Sequence, residues 1–378
     1  MNDQYVRPEF EHGETPEVGV LLANMGTPDA PTAKALRSYL HQFLRDPRVI
    51  ELPRWRWLPI LYLLVLTLRP RRSAALYSKV WTDEGSPLLV IGRRQAAALH
   101  EMLGGEDGRG PHIALGMAYG APSIATALAE LRGKGCRKIL VLPLYPQYSG
   151  TTTGATFDAV FAELRDWRWV PEVRTINAYH DDPGYIAAIA NSVREVWDRD
   201  GKPERLLFSF HGIPLRYVTD GDPYHCQCHK TGRLVAEALG IGEDSYVVAF
   251  QSQFGREEWI KPTTDVTVRA MARAGIKSLD IVCPGFSADC LETLEEIDVE
   301  NREFFENNGG ERFRFIPCLN DRPDHIGALA GLVASHLTGW NKDRAADAGH
   351  LQLEARASKQ RADRMIASQV RADAGYGS

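Results

Sequence analysis

Apolar residues fall in two series along the chain. In the first, continuous runs occupy 18–24, 112–119 and 138–144, with a fourth around 172–178. In the second they occupy 205–210, 246–250, 279–283 and 312–316. Runs without polar alternation belong to strands buried on both faces, which is the signature of a parallel sheet. Helical spacing fills the intervals at about 32–43, 87–103, 123–131 and 182–198, and the second of these closes on Gly104-Gly105, a C-cap signal. Strand, helix, strand repeated twice predicts an α/β protein with two Rossmann-like, doubly wound domains facing each other. The divisions expected are a polar segment at 1–17, a first domain at 18–180, a second at 181–322, a C-terminal helix packed on the body at 323–340, and a polar, Ala- and Arg-rich tail at 341–378.

Ligands of such sheets bind beyond the carboxyl ends of the strands. The unusual residues cluster at those ends: Asn24-Met25-Gly26, Tyr119, 145–149, His211, Ser252 and Phe286. After the first strand Asn-Met-Gly-Thr-Pro replaces the glycine pattern of dinucleotide binders, and no P-loop occurs, so nicotinamide and nucleotide chemistry are discounted. His211 ends the run 205–210 and is followed by Gly212, which permits a sharp turn, and Pro214, which stops the strand. A histidine held there is either a proton acceptor or metal ligand, or a strand-end side chain bonded to a backbone carbonyl.

The 287–300 stretch predicts a helix with Ser287 as N-cap. Glu292, Glu296 and Glu300 recur every four residues, opposite Leu291, Leu294, Ile297 and Phe304. That pattern fits the solvent face of any amphipathic helix. It also fits a row for cation traffic or proton relay, since like charges at this spacing destabilise a helix by about 0.2–0.5 kcal/mol per pair and no lysine relieves them. His225-Cys226-Gln227-Cys228-His229 reads either as adventitious surface residues or as a metal site, and lacks the paired C-x-x-C of structural zinc. Cys136, Cys283, Cys290 and Cys318 are expected to be packed.

Composition narrows the class. A chain of 378 residues with 44% apolar and 25% charged residues has enough core for two domains, and a net charge of −5 excludes nucleic acid as the expected partner. Six cysteines behind a polar, acidic N-terminus suggest a reducing cytoplasm. The apolar stretch 58–68 is too short to span a bilayer. With Arg54, Trp55, Arg56 and Trp57 before it and Arg69, Arg71 and Arg72 after it, it reads as an interfacial or pocket-mouth helix, or as a core helix with basic ends.

Six motifs in order resemble the ferrochelatases: Leu-Ala-Asn-Met-Gly-Thr-Pro at 22–28, Tyr-Pro-Gln-Tyr-Ser at 145–149, Ser-Phe-His-Gly-Ile-Pro at 209–214, Gly-Asp-Pro-Tyr at 221–224, Gln-Ser-Gln-Phe-Gly at 251–255 with Trp259, and Ala-Asp-Cys-Leu-Glu-Thr-Leu-Glu-Glu-Ile at 288–297. The resemblance runs from about Val18 to Trp340. It implies a chelatase-like cleft that holds protoporphyrin IX and inserts Fe(II), releasing two protons and forming protohaem in the terminal step of haem biosynthesis. It implies that His211 and Glu292 are the catalytic and metal-binding pair, on opposite sides of the porphyrin, with Glu296 and Glu300 as a metal or proton relay. Met25, Tyr119 and Trp259 match pocket-wall positions, and Arg69, Tyr77 and Ser86 match positions near the propionates, although the spacing from Tyr77 to Ser86 is longer than in some relatives. The apolar segment 58–68 matches the lip around the pocket mouth, which in the family also meets the membrane, implying a cytoplasmic enzyme with peripheral contact at the inner face through residues 54–72. Iron is then substrate, with no prosthetic group and no iron–sulfur cluster expected, because no cysteine follows Cys318. Met25, where the coproporphyrin branch carries tyrosine, favours protoporphyrin. The alternatives are a coproporphyrin ferrochelatase and a non-catalytic tetrapyrrole- or metal-binding protein.

Overall fold

Each apolar run becomes a strand. The computed structural model describes residues 16–104, 110–253, 255, 257–340, 353, 356–365 and 367. Its strands are β1 Glu17–Thr27, β2 His112–Gly120, β3 Cys136–Pro143, β4 Glu172–Thr175, β5 Arg205–His211, β6 Tyr246–Gln251, β7 Ser278–Val282 and β8 Arg312–Ile316. They form two four-stranded parallel sheets, β2-β1-β3-β4 and β6-β5-β7-β8. The same winding is used twice. In both sheets the first strand of the lobe is central, so β1 and β5 carry their end residues, Met25 and His211, to the middle of the carboxyl edge.

A shared apolar core lies between the sheets and the helices they enclose. It joins Leu22, Leu140 and Leu142 of the first sheet to Phe208, Phe210 and Val248 of the second through Ile189, Val193, Leu329 and Val333. Separate cores back the outer faces: one around Leu21, Ile139 and Leu128, the other around Leu207, Ile281 and Phe305. The continuous apolar runs are explained by this arrangement, because each central strand is covered on both sides. Helix Pro323–His336 belongs to the shared core, and Trp340 beyond it donates its indole N–H to Glu172 over 2.8 Å while Arg174 stacks on its ring. The end of the second lobe is thereby fastened to β4 of the first.

Most of the N-terminal segment at 1–17 and of the 341–378 tail lies outside the described residues. Residues 356–365 are helical. The stretch Arg54–Val80 is helical throughout, with a π-helical segment at Leu61–Val65 between Arg54–Ile60 and Leu66–Val80. Its buried residues, Trp57, Leu61, Val65, Leu66, Ala74 and Tyr77, join a fourth apolar cluster with Tyr39 and Tyr119.

One buried ion pair holds the edge of the second sheet. Asp280 on β7 is fully buried and accepts two hydrogen bonds of 2.7 Å from Arg314 on β8 and one of 2.8 Å from the Trp197 indole. Both oxygens of the carboxylate accept hydrogen bonds, which offsets its desolvation. Removing Asp280 leaves the largely buried Arg314 with only the more distant Asp200 carboxylate, at 3.8 Å, as a counter-charge. Asp280→Ala is expected to destabilise the second lobe by about 3–5 kcal/mol, read as a fall in its urea midpoint.

Candidate functional site

His211 is half-buried at the end of β5, with its Nδ1 2.6 Å from the Gly212 carbonyl oxygen. A carbonyl only accepts, so Nδ1 carries the proton, and Nε2 of the neutral ring keeps its lone pair. The ring leans on Trp259, with centroids 6.4 Å apart. The indole N–H of Trp259 is buried and has no hydrogen-bond partner among the described residues. Gly212 is required by space rather than by a left-handed turn: its N–H donates to the Gln251 carbonyl over 2.7 Å, and a Cβ there would sit 3.0 Å from both that oxygen and the Trp259 ring.

The acidic helix is mounted differently from the sequence expectation. Residues 287–290 are not helical, and Ser287 is not an N-cap; its hydroxyl is buried without a partner. The reason is Asp289. Its buried carboxylate accepts hydrogen bonds from the Asn320 amide at 2.8 Å and from the Thr293 hydroxyl and the Cys318 N–H at 3.1 Å each, while its own N–H donates to Asn320 Oδ1. These bonds pin the loop to the segment after β8, so the helix starts at Leu291 and runs from Glu292 to Asn301 as a π-helix. Its i→i+5 bonding widens the turn, a feature frequent at functional sites. Gln251 donates to the Glu292 carbonyl over 3.1 Å and accepts from Ser209 at 2.7 Å, tying the helix start to the middle of the second sheet.

The carboxylates form a graded row. Glu292 and Glu296 are half-buried and Glu300 is exposed. Glu295, which the four-residue spacing leaves out, is buried and paired with Lys79 of the first lobe. Glu296 accepts from the Ser252 N–H at 2.7 Å and also from the Ser252 hydroxyl. Ser252 holds φ +66°, a left-handed conformation that costs a non-glycine residue roughly 1–3 kcal/mol. Two hydrogen bonds to a charged group, at roughly 1.5–3 kcal/mol each, outweigh that strain. Burial raises the Glu296 pKa, with the Glu292 charge adding to it; the Ser252 bonds and the nearby His211 pull it down. The strained serine is thus a site residue that sequence reasoning noted only as a strand tip.

Across the cleft stands the end of β1. Met25 is half-buried and packs on the cluster containing Tyr39, Tyr77 and Tyr119, as does Leu291 from the acidic helix. Gly26 after it has φ +108°, and a Cβ would fall 1.8 Å from the Tyr119 carbonyl, so only glycine fits. Tyr39 donates to the Gly26 carbonyl over 3.2 Å. Burial pushes the Tyr39 and Tyr77 hydroxyls far up; the Glu292 charge adds to both, and the Tyr39 hydroxyl adds to that of Tyr77. Tyr119 is buried, with its hydroxyl donating to Asp46 over 2.9 Å. Ser86 is buried and accepts from Thr27 at 2.8 Å. Arg69 lies on the exposed side of Leu66–Val80, its pKa lowered by partial burial and by Arg72. The structure therefore brings His211, Trp259 and Glu296 together at the carboxyl edge of the second sheet, with Glu292 one turn before Glu296, and gathers Met25, Tyr77 and Tyr119 into one apolar cluster with Leu291, while Ser86 is buried beside Thr27.

A separate cleft of about 650 Å³ beside β8 contains none of these residues. Its arginines are already paired, Arg199 with Asp200, Arg302 with Asp298, Arg314 with Asp280 and Arg322 with Glu195.

Residues 17–337 match the family model described as Ferrochelatase. The chain is 56% identical over 356 residues to the ferrochelatase of Thioalkalivibrio sulfidiphilus (strain HL-EbGR7), covering 94% of this chain and 96% of that one. It is 52% identical over 359 residues to the ferrochelatase of Hydrogenovibrio crunogenus (strain DSM 25203 / XCL-2), covering 93% and 95%. Among solved structures, SirB from Bacillus subtilis with Fe3+ aligns with a TM-score of 0.52 at 12% identity, over 88% of this chain and 99% of that chain, a likeness of fold.

The Ser252 contacts make one electrostatic prediction. In Ser252→Ala the lost hydroxyl no longer stabilises the carboxylate, so Glu296 is expected to titrate at higher pH than in the unaltered protein, followed by its carboxylate infrared bands. An unchanged titration would show that the backbone N–H alone sets it.

Proposed function

The chain belongs to the ferrochelatase family and has that family's metal-chelating lyase activity, with a porphyrin and iron as substrates; on that premise we propose that its porphyrin is protoporphyrin IX and that His211 and Glu292 carry the reaction. The observation that carries the reading is the tautomer of His211. Fixed through Nδ1 by the Gly212 carbonyl, the ring presents a basic Nε2 at a strand tip. Two pyrrole protons must leave as Fe(II) enters. His211 Nε2 accepts one, and the imidazolium so formed is stabilised by the neighbouring Glu296 carboxylate. The second proton goes to the Glu292 carboxylate, which starts a row through Glu296 to exposed Glu300 along which protons or the metal pass between the cleft and the surface.

Iron is substrate in this reading, with no resident cluster. Cluster ligands must be thiolates. Cys283, Cys290 and Cys318 are buried, and burial pushes their thiols well up, with Asp289 adding to the first and third and Glu292 to the second. The apolar wall at Met25 supports protoporphyrin, because the two further propionates of coproporphyrin would need cations there.

His211→Ala is expected to lower porphyrin metallation by about 10²–10⁴-fold, with Fe(II) or Zn(II) insertion followed by loss of free-porphyrin fluorescence. Unaltered protein is expected to favour protoporphyrin over coproporphyrin in kcat/KM. Stoichiometric spectral shifts without metallated product would overturn catalysis in favour of carriage.

The lip supports a peripheral membrane contact. Among the described residues no helix is long and apolar enough to cross a bilayer. Trp55, Leu63 and Leu68 are nevertheless 72%, 73% and 70% exposed, beside Arg56, Arg69, Arg71 and Arg72. An apolar face with a basic border lies in the interfacial region of an anionic bilayer. Leu63→Glu combined with Leu68→Glu is expected to release the protein from phosphatidylglycerol vesicles in co-sedimentation; retention would refute the contact.

A further inference from the structure

The helix Tyr224–Leu239 carries the sequence cluster that the cleft does not use, and the structure divides it. Cys228 is fully buried against Tyr224, and burial pushes its thiol far up, so it is inert. Cys226 is exposed. His225 and His229, one turn apart, stand side by side with ring centroids 4.6 Å apart and planes at 54°. Both rest on Phe250: His225 stacks on it at 5.4 Å and 25°, and His229 lies 6.0 Å from it. Among the described residues neither ring has a hydrogen-bond or ion-pair partner. Burial lowers both pKa values, and the charge of His225 lowers that of His229 further, so the rings are neutral and keep their lone pairs at neutral pH.

We propose that His225 and His229 form a two-imidazole site, separate from the cleft, for an exchangeable divalent cation of borderline softness, of the zinc, nickel, copper or ferrous class. Three considerations support it. An ion about 2.1 Å from one nitrogen of each ring lies about 3.2 Å from each ring centre, so centres at the observed spacing subtend roughly 90°, the angle between adjacent ligands of an octahedral or square-planar shell. The two rings are held side by side, since both pack on buried Phe250 and the helix that carries them is anchored by Tyr224, Cys228, Thr231 and Val235. The positive end of the helix is moderated by Asp222, whose carboxylate accepts the Tyr224 N–H at 3.0 Å. Among the described residues no group of three or more His, Cys, Asp and Glu is arranged to hold a metal. Water completes the shell, and the ion exchanges readily.

The test uses untagged full-length protein. In a His211→Ala background, Cu(II) is expected to give an electron paramagnetic resonance spectrum with coupling to two imidazole nitrogens, reduced to one by either His225→Gln or His229→Gln. Calorimetric titration with Zn(II) is expected to lose one equivalent in each variant. Spectra and titrations unchanged by both substitutions would overturn the site. With His211 intact, His229→Gln is expected to metallate porphyrin at the unaltered rate; a matching loss of metallation would overturn the separation from the cleft.

Discussion

The buried carboxylate of Asp289 sets the geometry on which the cleft depends. Its three donors come from Thr293 on the helix that follows it and from Cys318 and Asn320 beyond β8. A buried charge with fewer partners would lose several kcal/mol, so the loop has little freedom to move. The same junction reaches the first lobe. Gln95, fully buried on helix Pro87–Met102, donates to the carbonyls of Ser287 and Asn320 at 2.9 and 3.0 Å, and His325 lies 2.7 Å from the same Asn320 oxygen. The Glu292 helix is therefore positioned by polar bonds from both lobes, while the sheets behind it share a largely apolar core. Packing brings the lobes together; the Asp289 and Gln95 bonds fix their register.

The sheets were legible because burial on both faces writes itself into composition: a strand covered on both sides needs apolar residues at every position. β1 and β5 show this, and their composition alone puts their tips at the carboxyl edges of the two sheets. The start of the acidic helix was not legible. Ser287 has the chemistry of an N-cap, and only the contacts of Asp289 with residues some 30 positions later show why the helix is delayed. The π-helical turn was hidden for the same reason, since its spacing depends on what the helix packs against. Glu295 was passed over because an α-helical spacing puts it off the acidic line, and its partner Lys79 is more than 200 residues away. Tyr119 and Ser86 show the limit of motif reasoning: it brings them to the cleft but cannot say that their hydroxyls are already engaged by Asp46 and Thr27.

For His211 the two readings left open by the sequence are one arrangement. A backbone carbonyl satisfies Nδ1, and that same bond leaves Nε2 as the basic atom. On the proposed assignment the cleft then contains few ligands for a metal. Glu296 has one donor on each oxygen, both from Ser252, and Glu295 is held by Lys79. What remains is one imidazole nitrogen and the carboxylate of Glu292, short of the four ligands that retain zinc or the six that suit octahedral ions. A chelatase must surrender its metal to four pyrrole nitrogens. By committing Glu295 and Glu296 to protein donors, the structure keeps negative charge near the metal path while limiting the number of oxygens that can close around the ion. The strained Ser252 backbone belongs to this economy of ligands: it holds Glu296 as an electrostatic neighbour of His211, stabilising an imidazolium as it forms, without leaving that carboxylate free to trap the iron.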